Sequence, residues 1–323
     1  MGLKRSEIAV ILPAYNEELT IGDTLRDFAQ QLPEALFVVI DNNSDDRTAE
    51  IAHSVFSELG LEGVLLTEGR QGKGNAVRRA FMEIDADIYV MADADMTYPA
   101  SHVLEMIEPV KNSQADMVVG DRHSSGSYRS ENKRLFHNLG NNLVRKMVNQ
   151  LFRANLADIM SGYRVFSRRF VKNYPILVSG FQLETDMTLH ALDKRFVITE
   201  IPVAYQDRPA GSESKLDTVS DGARVLFTII QILRYYRPML FFGVIAFIFF
   251  LAGLLAGYPV IMDWIQHKFI YHVPLAILAA GLELSAMLSL GIGLILDSIT
   301  HQNKMRFEQH LLSKKTSLSN KGD

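Results

Sequence analysis

The chain has 323 residues, 48% of them hydrophobic, enough for one sizeable domain with a full core plus an appendage, so disorder throughout is excluded. A formal net charge of -4 gives no overall basic field, which argues against nucleic acid as a partner and makes any anion site local. There is no cysteine, so disulfides, thiolate catalysis and cysteine-ligated zinc are excluded and a metal must be held by oxygen or histidine.

The N-terminal stretch MGLKRSEIAVILPAYNEE has too short an apolar run before Asn16 and Glu17 for a secretory signal peptide, and the first domain is expected to be cytoplasmic. From Ile8 to Tyr205, short apolar runs at 8–13, 36–41, 63–67, 88–93, 117–121 and 197–205 alternate with amphipathic stretches such as 20–32, 47–59 and 74–84. Continuous β-branched runs of this kind predict a mostly parallel sheet covered by helices on both faces, an α/β nucleotide-binding architecture. Ligands of such sheets bind beyond the carboxyl ends of the strands. Polar clusters follow the runs there: AYNEE, DNNSDD, DADMT and GDRHSS.

After Asp207 the composition shifts. Residues 217–237 place Val225, Ile229, Ile232 and Leu233 near one helical face with arginines flanking, which reads as an interfacial helix. Met239 to Met262 carries no charge and is long enough to cross about 30 Å of hydrocarbon. Val273 to Leu296 is a second candidate span. Its central Glu283 costs roughly 2.5–3.5 kcal/mol on insertion scales and reads as a protonated or helix-paired carboxyl, with a polar lining or lipid contact as the alternative. Arg224, Arg234 and Arg237 precede the first span, Lys304, Arg306, Lys314 and Lys315 follow the second, and the connector holds Lys268. The positive-inside rule then puts both termini in the cytoplasm. The expected divisions are a catalytic domain at 1–216, a juxtamembrane amphipathic helix at 217–237, a two-helix transmembrane anchor at 238–300 and a basic cytoplasmic tail at 301–323.

The segment MADAD (91–95) closes an apolar run with Asp93 and Asp95. Strand positions two apart project to one side, so both carboxylates can converge on a hard cation that bridges diphosphate oxygens; the bland alternative is a helix cap. In Asp41-Asn42-Asn43-Ser44-Asp45-Asp46, Asp41 is placed to accept hydrogen bonds from a base or ribose, while Ser44 or Asp45 caps the helix beginning near Thr48. Gly69-Arg70-Gln71-Gly72-Lys73-Gly74-Asn75 lacks the spacing of a phosphate-binding P-loop, but its small residues and one lysine suit backbone approach to a nucleotide.

Taken in order, Pro13-Ala14-Tyr15-Asn16-Glu17-Glu18, Asp41 with Ser44 and Asp45, Gly72-Lys73-Gly74, Asp93-x-Asp95 and Ser161-Gly162 resemble the family 2 glycosyltransferases with the GT-A fold. The resemblance covers residues 8 to about 216. Downstream, the GDR segment at 120–122, Lys133 and Arg134, Asp158-x-x-Ser161-Gly162-Tyr163-Arg164 and the stretch Arg208 to Leu216 are similar to dolichyl-phosphate mannose synthases and bacterial polyprenyl-phosphate glycosyltransferases, the last element with one extra residue.

What this implies is an inverting, metal-dependent transfer of a sugar from a UDP- or GDP-linked donor to the phosphate of an undecaprenyl- or dolichyl-type lipid, for a cell-envelope glycan at a bacterial inner or plasma membrane. The resemblance assigns Pro13, Tyr15, Glu17 and Asp41 to the base and ribose, with Asn16 and Lys73 also counted as substrate-binding. It assigns Asp93 and Asp95 to the diphosphate and to Mg2+ or Mn2+. Arg122, Arg134 and Asn138 would grip the lipid phosphate, and Arg208 with Lys215 would close over the donor. Glu184, in GFQLETD, stands where relatives carry an acid, its alternative being a helix-face carboxylate. Met96 and Asn138 replace the glutamine and serine usual in mannose synthases, which leaves metal geometry and donor sugar open. A homo-oligomer is also left open, homotetramers being known among relatives.

A phosphate monoester with a second pKa of about 6 is already largely dianionic at neutral pH, so it needs positive charge rather than a general base. Arginines match its oxygens bidentately. Rival readings are a family 2 transferase acting on a lipid-linked saccharide hydroxyl and a non-catalytic, sugar-binding membrane scaffold. A processive polysaccharide synthase is disfavoured because the Q-x-x-R-W element is absent and the one tryptophan is Trp264.

Overall fold

Aliphatic runs from the N-terminal two thirds of the chain assemble into one sheet. The computed structural model describes residues 5–124, 135–179, 182–206 and 221–319, and the chain divides into two units, Met1–Asp221 and Gly222–Asp323. In the first, β1 (Ser6–Ala14), β2 (Leu36–Asp41), β3 (Gly63–Thr67), β4 (Ala86–Met91), β5 (Met117–Asp121), β6 (Arg164–Ser167) and β7 (Ile198–Pro202) form a seven-stranded sheet in the order β3-β2-β1-β4-β6-β5-β7. β6 runs antiparallel to β4 and β5, and the other neighbours are parallel. The helices of this unit are α1 (Ile21–Gln31), α2 (Thr48–Leu59), α3 (Lys73–Glu83), α4 (Val103–Lys111), α5 (Leu135–Phe152), α6 (Arg168–Val171) and α7 (Leu183–Asp193).

Alternate strand residues feed two cores, one on each face of the sheet. Val10, Leu12, Phe37 and Val39 pack with Leu25 and Phe28 of α1, Phe56 of α2 and Met106 of α4. On the other face, Phe81 of α3 meets the rings of Tyr89 at 5.7 Å and Phe166 at 5.8 Å, and Phe166 stacks on Phe170 at 5.2 Å. All six residues of β2 are buried, as expected for a strand covered on both sides.

β6 is absent from the expected strands, and the reason lies in Arg164, which is fully buried. Its guanidinium donates to the carbonyls of Ser161 at 2.8 Å and Ile159 at 2.9 Å and to Thr188 Oγ1 at 2.9 Å, so a charge that masks the strand in a hydropathy reading is hydrogen-bonded inside. Register pairs Ala14 with Asp41 and Met91 with Arg164. The carboxyl ends of β1, β2 and β4 and the amino end of β6 therefore open on one edge.

The second unit contains α8 (Asp221–Tyr236), α9 (Pro238–His267) and α10 (Val273–Ser319). α9 has 30 residues and α10 has 47, and each is long and apolar enough to cross a membrane. Leu255 is 76% exposed, Met287 71% and Ile277 69%, a surface suited to lipid rather than water. Asp263 ties the connector between them, accepting from the amides of Tyr271 at 3.0 Å and His272 at 3.1 Å and facing the His272 ring at 2.7 Å. Glu283 fills a notch left by Gly253, where a Cβ would lie 2.5 Å from Oε1 and 2.9 Å from Cδ. Its Oε1 is buried with no hydrogen-bond partner among the described residues. The basic segment after residue 300 continues α10 through Ser319.

Candidate active site at the strand ends

Because β1 and β2 end side by side, the loops that follow them are neighbours. Their polar side chains stitch them together. The Asn16 amide donates to Ser44 Oγ at 3.0 Å, the Asp45 amide to Asn16 Oδ1 at 2.8 Å, the Glu17 amide to Thr48 Oγ1 at 2.8 Å and the Glu18 amide to Asp46 Oδ2 at 3.0 Å. Asn16 and Asn43 adopt left-handed backbone, φ 53° and 62°, which asparagine accepts more readily than most residues. At the start of α2 it is Asp46 that accepts from the Thr48 amide, at 2.9 Å, in place of the expected Ser44 or Asp45. Ser44 instead binds the first loop through its hydroxyl, while its own amide donates to Asp41 Oδ1 at 3.2 Å. Asp41 and Glu17 are both buried. Thr20 Oγ1 donates to the Ala94 carbonyl at 2.8 Å and lies 3.1 Å from Glu17 Oε2, which links this pair of loops to the D-x-D segment. Pro13 is the next-to-last residue of β1, and Tyr15 follows the strand at the same edge.

The loop after β3 is anchored by Asn42, whose Nδ2 donates to the carbonyls of Glu68 at 3.0 Å and Arg70 at 2.8 Å, while its Oδ1 accepts from the Gly72 amide at 2.6 Å. Arg70 holds Glu68 by a side-chain bond at 2.8 Å and a backbone bond at 3.0 Å, and these bring the Glu68 carboxyl down to about 2. Gly72 has φ 123°, and a Cβ there would collide with the Ser179 carbonyl. The Gly74 amide donates to the same carbonyl at 3.1 Å. The glycines thus let this loop press against the chain leading to α7.

Asp93 and Asp95 lie beyond the end of β4 at Met91, in the loop rather than on the strand, so strand pleating does not align them. Each is instead held by its own partners. Asp95 is buried, and its Oδ1 accepts from the Thr97 amide at 3.1 Å and hydroxyl at 2.5 Å, with Met96 between them at φ 62°. Asp93 Oδ1 pairs with the Lys73 ammonium, which also reaches Glu184 Oε1 at 2.5 Å. Burial alone would depress the Lys73 ammonium, but the charges of Asp93 and Glu184 and their hydrogen bonds outweigh it and hold it above its usual range. Gly162 completes the cluster. A Cβ there would run into Asp93 Oδ2 and sit 3.0 Å from Lys73 Nζ. The Gly162 amide donates to the Tyr98 hydroxyl at 3.1 Å, and burial pushes that phenol up to about 12.

Among the described residues no three His, Cys, Asp or Glu side chains form a metal-holding group. A divalent cation here would draw on the two hard carboxylates of Asp93 and Asp95 and complete its shell with water and phosphate oxygens, a donor set that suits Mg2+ or Mn2+.

At the end of β5, Arg122 forks onto Asp158, with Nε 2.7 Å from Oδ2 and Nη2 3.0 Å from Oδ1. The Asp158 side chain is 1% exposed. Burial would raise its pKa, yet the Arg122 charge brings it below the ordinary carboxylate range. Glu200 Oε1 accepts from the backbone amides of Ala157 at 2.9 Å and Asp158 at 2.8 Å, which fixes the turn from behind. Arg122 therefore stands at the strand edge as expected, but already engaged by a carboxylate that the basic run around it does not reveal. Arg134, Arg208 and Lys215 lie outside the described residues, as does the side chain of Asn138 in α5.

Residues 9–174 match the protein-family model described as Glycosyl transferase family 2. Glycosyltransferase AglJ of Haloferax volcanii is 28% identical over 302 residues, spanning 93% of this chain and 96% of its own length. A dolichyl-phosphate hexose transferase from the same organism is 27% identical over 226 residues, 70% of this chain and 93% of its own. Glucosyl-3-phosphoglycerate synthase from Mycobacterium tuberculosis, crystallised with Mn2+, uridine diphosphate and glucosyl-3-phosphoglycerate, superposes with a TM-score of 0.55 at 19% identity, over 71% of this chain and 79% of that one. That last likeness is one of fold, and the shared fold is GT-A.

Proposed function

The chain belongs to glycosyl transferase family 2, and from that premise we propose that it moves a sugar from a nucleotide-sugar to the phosphate of a membrane polyprenyl lipid, inverting the anomeric centre. The observation that carries this reading is a cluster at the strand ends, Lys73 between Asp93 and Glu184 with Asp95 two residues beyond, which a divalent cation would turn into a diphosphate site, on a chain that continues into two helices able to cross a membrane. The dolichyl-phosphate hexose transferase among its relatives supports the acceptor class.

On this reading the ends of β1 and β2 and the loop after β1 hold the nucleoside through Pro13, Tyr15, Asn16, Glu17 and Asp41. Asp93 and Asp95 would hold Mg2+ or Mn2+, whose charge, when bound, stabilises the departing nucleotide diphosphate. The acceptor phosphate attacks as a dianion, and the protein's part is to hold it in line with positive charge. Arg122, Arg134 and Asn138 are assigned to that task, and Arg208 with Lys215 to closure over the donor. Because Arg122 shares its charge with Asp158, Arg134 carries more of the grip.

The test is to incubate the full chain in detergent with UDP- and GDP-sugars and a polyprenyl phosphate, scoring the nucleoside diphosphate released and an acid-labile lipid phosphosugar. Release that requires the lipid phosphate is the expected result. Transfer that proceeds only to a lipid-linked saccharide hydroxyl, or no release with any donor, overturns the proposal. Asp95→Asn is expected to abolish transfer and with it the metal requirement, while the protein still folds.

A further inference from the structure

We infer that Lys73 is a positioning residue that occupies Asp93 until the nucleotide diphosphate arrives, so that the divalent cation enters with the nucleotide and not before it. This rests on the metal role proposed above for Asp93 and Asp95. The Lys73 side chain is only 10% exposed, and its ammonium joins Asp93, 20 residues away in sequence, to Glu184, 111 residues away. The other oxygen of Asp93 lies against the bare Cα of Gly162. Asp93 is thus hemmed in on both oxygens by the protein itself, and a cation approaching it meets an ammonium already in place, with which it repels at short range in a partly buried setting.

A nucleotide diphosphate changes this balance twice over. Its negative charge offsets the repulsion between ammonium and cation, and its oxygens give Lys73 another charge-assisted acceptor. Glu184 divides the ammonium between two carboxylates, so Asp93 is gripped less tightly than it would be alone. The cation and the nucleotide are therefore coupled through Lys73, and the coupling is reciprocal.

The experiment is Mn2+ binding to the full chain in detergent, followed by the paramagnetic resonance of free Mn2+, with no nucleotide and then with UDP or GDP. Wild type is expected to bind Mn2+ weakly alone and well with nucleotide. Lys73→Met should tighten binding without nucleotide by about tenfold or more, the scale of one charge-assisted hydrogen bond, and shrink the gain that nucleotide brings. Glu184→Gln keeps the ammonium and leaves it to Asp93 alone, so it should weaken Mn2+ binding to the nucleotide-bound protein; this variant carries the test if Lys73→Met does not fold. Arg79→Gln removes a charge of the same sign from the helix that Lys73 begins, where it sits half-exposed beside Glu83, and should leave Mn2+ affinity unchanged, separating contact from general field. Wild type binding Mn2+ without nucleotide as tightly as Lys73→Met, or Glu184→Gln binding as tightly as wild type, overturns the inference while leaving the metal role intact. Mn2+ binding to no form under any condition overturns the metal role itself.

Discussion

Arg164 and Arg122 carry charge into the domain in two ways, the first ending on carbonyls and a hydroxyl, the second on a carboxylate. The difference decides what mutation does. Arg122→Ala leaves Asp158 buried without its partner, and breaking a buried pair in this way costs about 3–5 kcal/mol. That variant should therefore unfold at lower temperature as well as use lipid phosphate poorly, with donor affinity little changed. Thermal unfolding beside separate donor and acceptor titrations checks this, and an unchanged midpoint would mean that Asp158 finds another partner. The Asp158 pKa is depressed in the fold, so its contribution is fully present above the unfolded carboxylate value of about 3.9 and is lost as pH falls through the lower folded value. Residue by residue, the acidic pair was legible because Asp93-x-Asp95 is a local pattern. Lys73 with Glu184 was not, since 111 residues separate them. Arg122 was legible as a member of a basic run, but its partner is 36 residues away and acidic.

Elements were legible in proportion to how well their burial repeats along the chain. β1 to β5 and β7 are aliphatic runs and stand where runs predict. α7 buries Leu183, Glu184, Thr185, Met187, Thr188, Leu189, His190 and Ala191, nearly its whole circumference, so no single apolar stripe announces it. Its His190 lies 6.0 Å from the rings of both Phe170 and Phe196, and burial pushes its pKa down to about 4 from 6.5. The unfolded chain takes up that proton first. Stability is thus complete above about 6.5 and falls as pH drops through about 4, by up to about 3 kcal/mol. His190→Phe should flatten this loss, measured as denaturant midpoints at pH 7 and pH 4.5; an equally steep decline in the variant would assign it to other groups. Gly162→Ala places a methyl against Asp93 and Lys73 and should disable the Lys73 cluster with little effect on the sheet. Nucleotide affinity falling while the far-ultraviolet spectrum is preserved is the expected signature. In the apolar pair, Gly253→Leu must displace Glu283, so α9 and α10 should separate more readily, seen as faster protease cutting at their connector with the first unit intact.

At the scale of the molecule, the described side chains assigned to donor and metal all belong to the first unit, and the two helices long enough to cross a membrane belong to the second. This division sets up a test of what the apolar helices contribute. Under the proposed function, helices that serve only as a membrane anchor add no chemistry. They raise the concentration of the domain at the surface where a long-chain lipid phosphate resides, and tethering of this kind is worth about 10²- to 10⁴-fold in apparent affinity without any new contact. Truncation after Leu216, which lies outside the described residues, should therefore leave nucleotide affinity and the circular dichroism of the domain near their original values. Transfer to a short, water-soluble polyprenyl phosphate should survive in large part, because the acceptor then diffuses to the site. Transfer to a long-chain acceptor in vesicles should fall by about 10² or more, and should recover when the truncated domain is recruited to the same vesicles through an unrelated lipid tag. Recovery identifies the helices as a tether. If recruitment restores nothing although nucleotide still binds, the helices supply part of the acceptor site, and Glu283 in the notch of Gly253 becomes the first residue to substitute in the full chain.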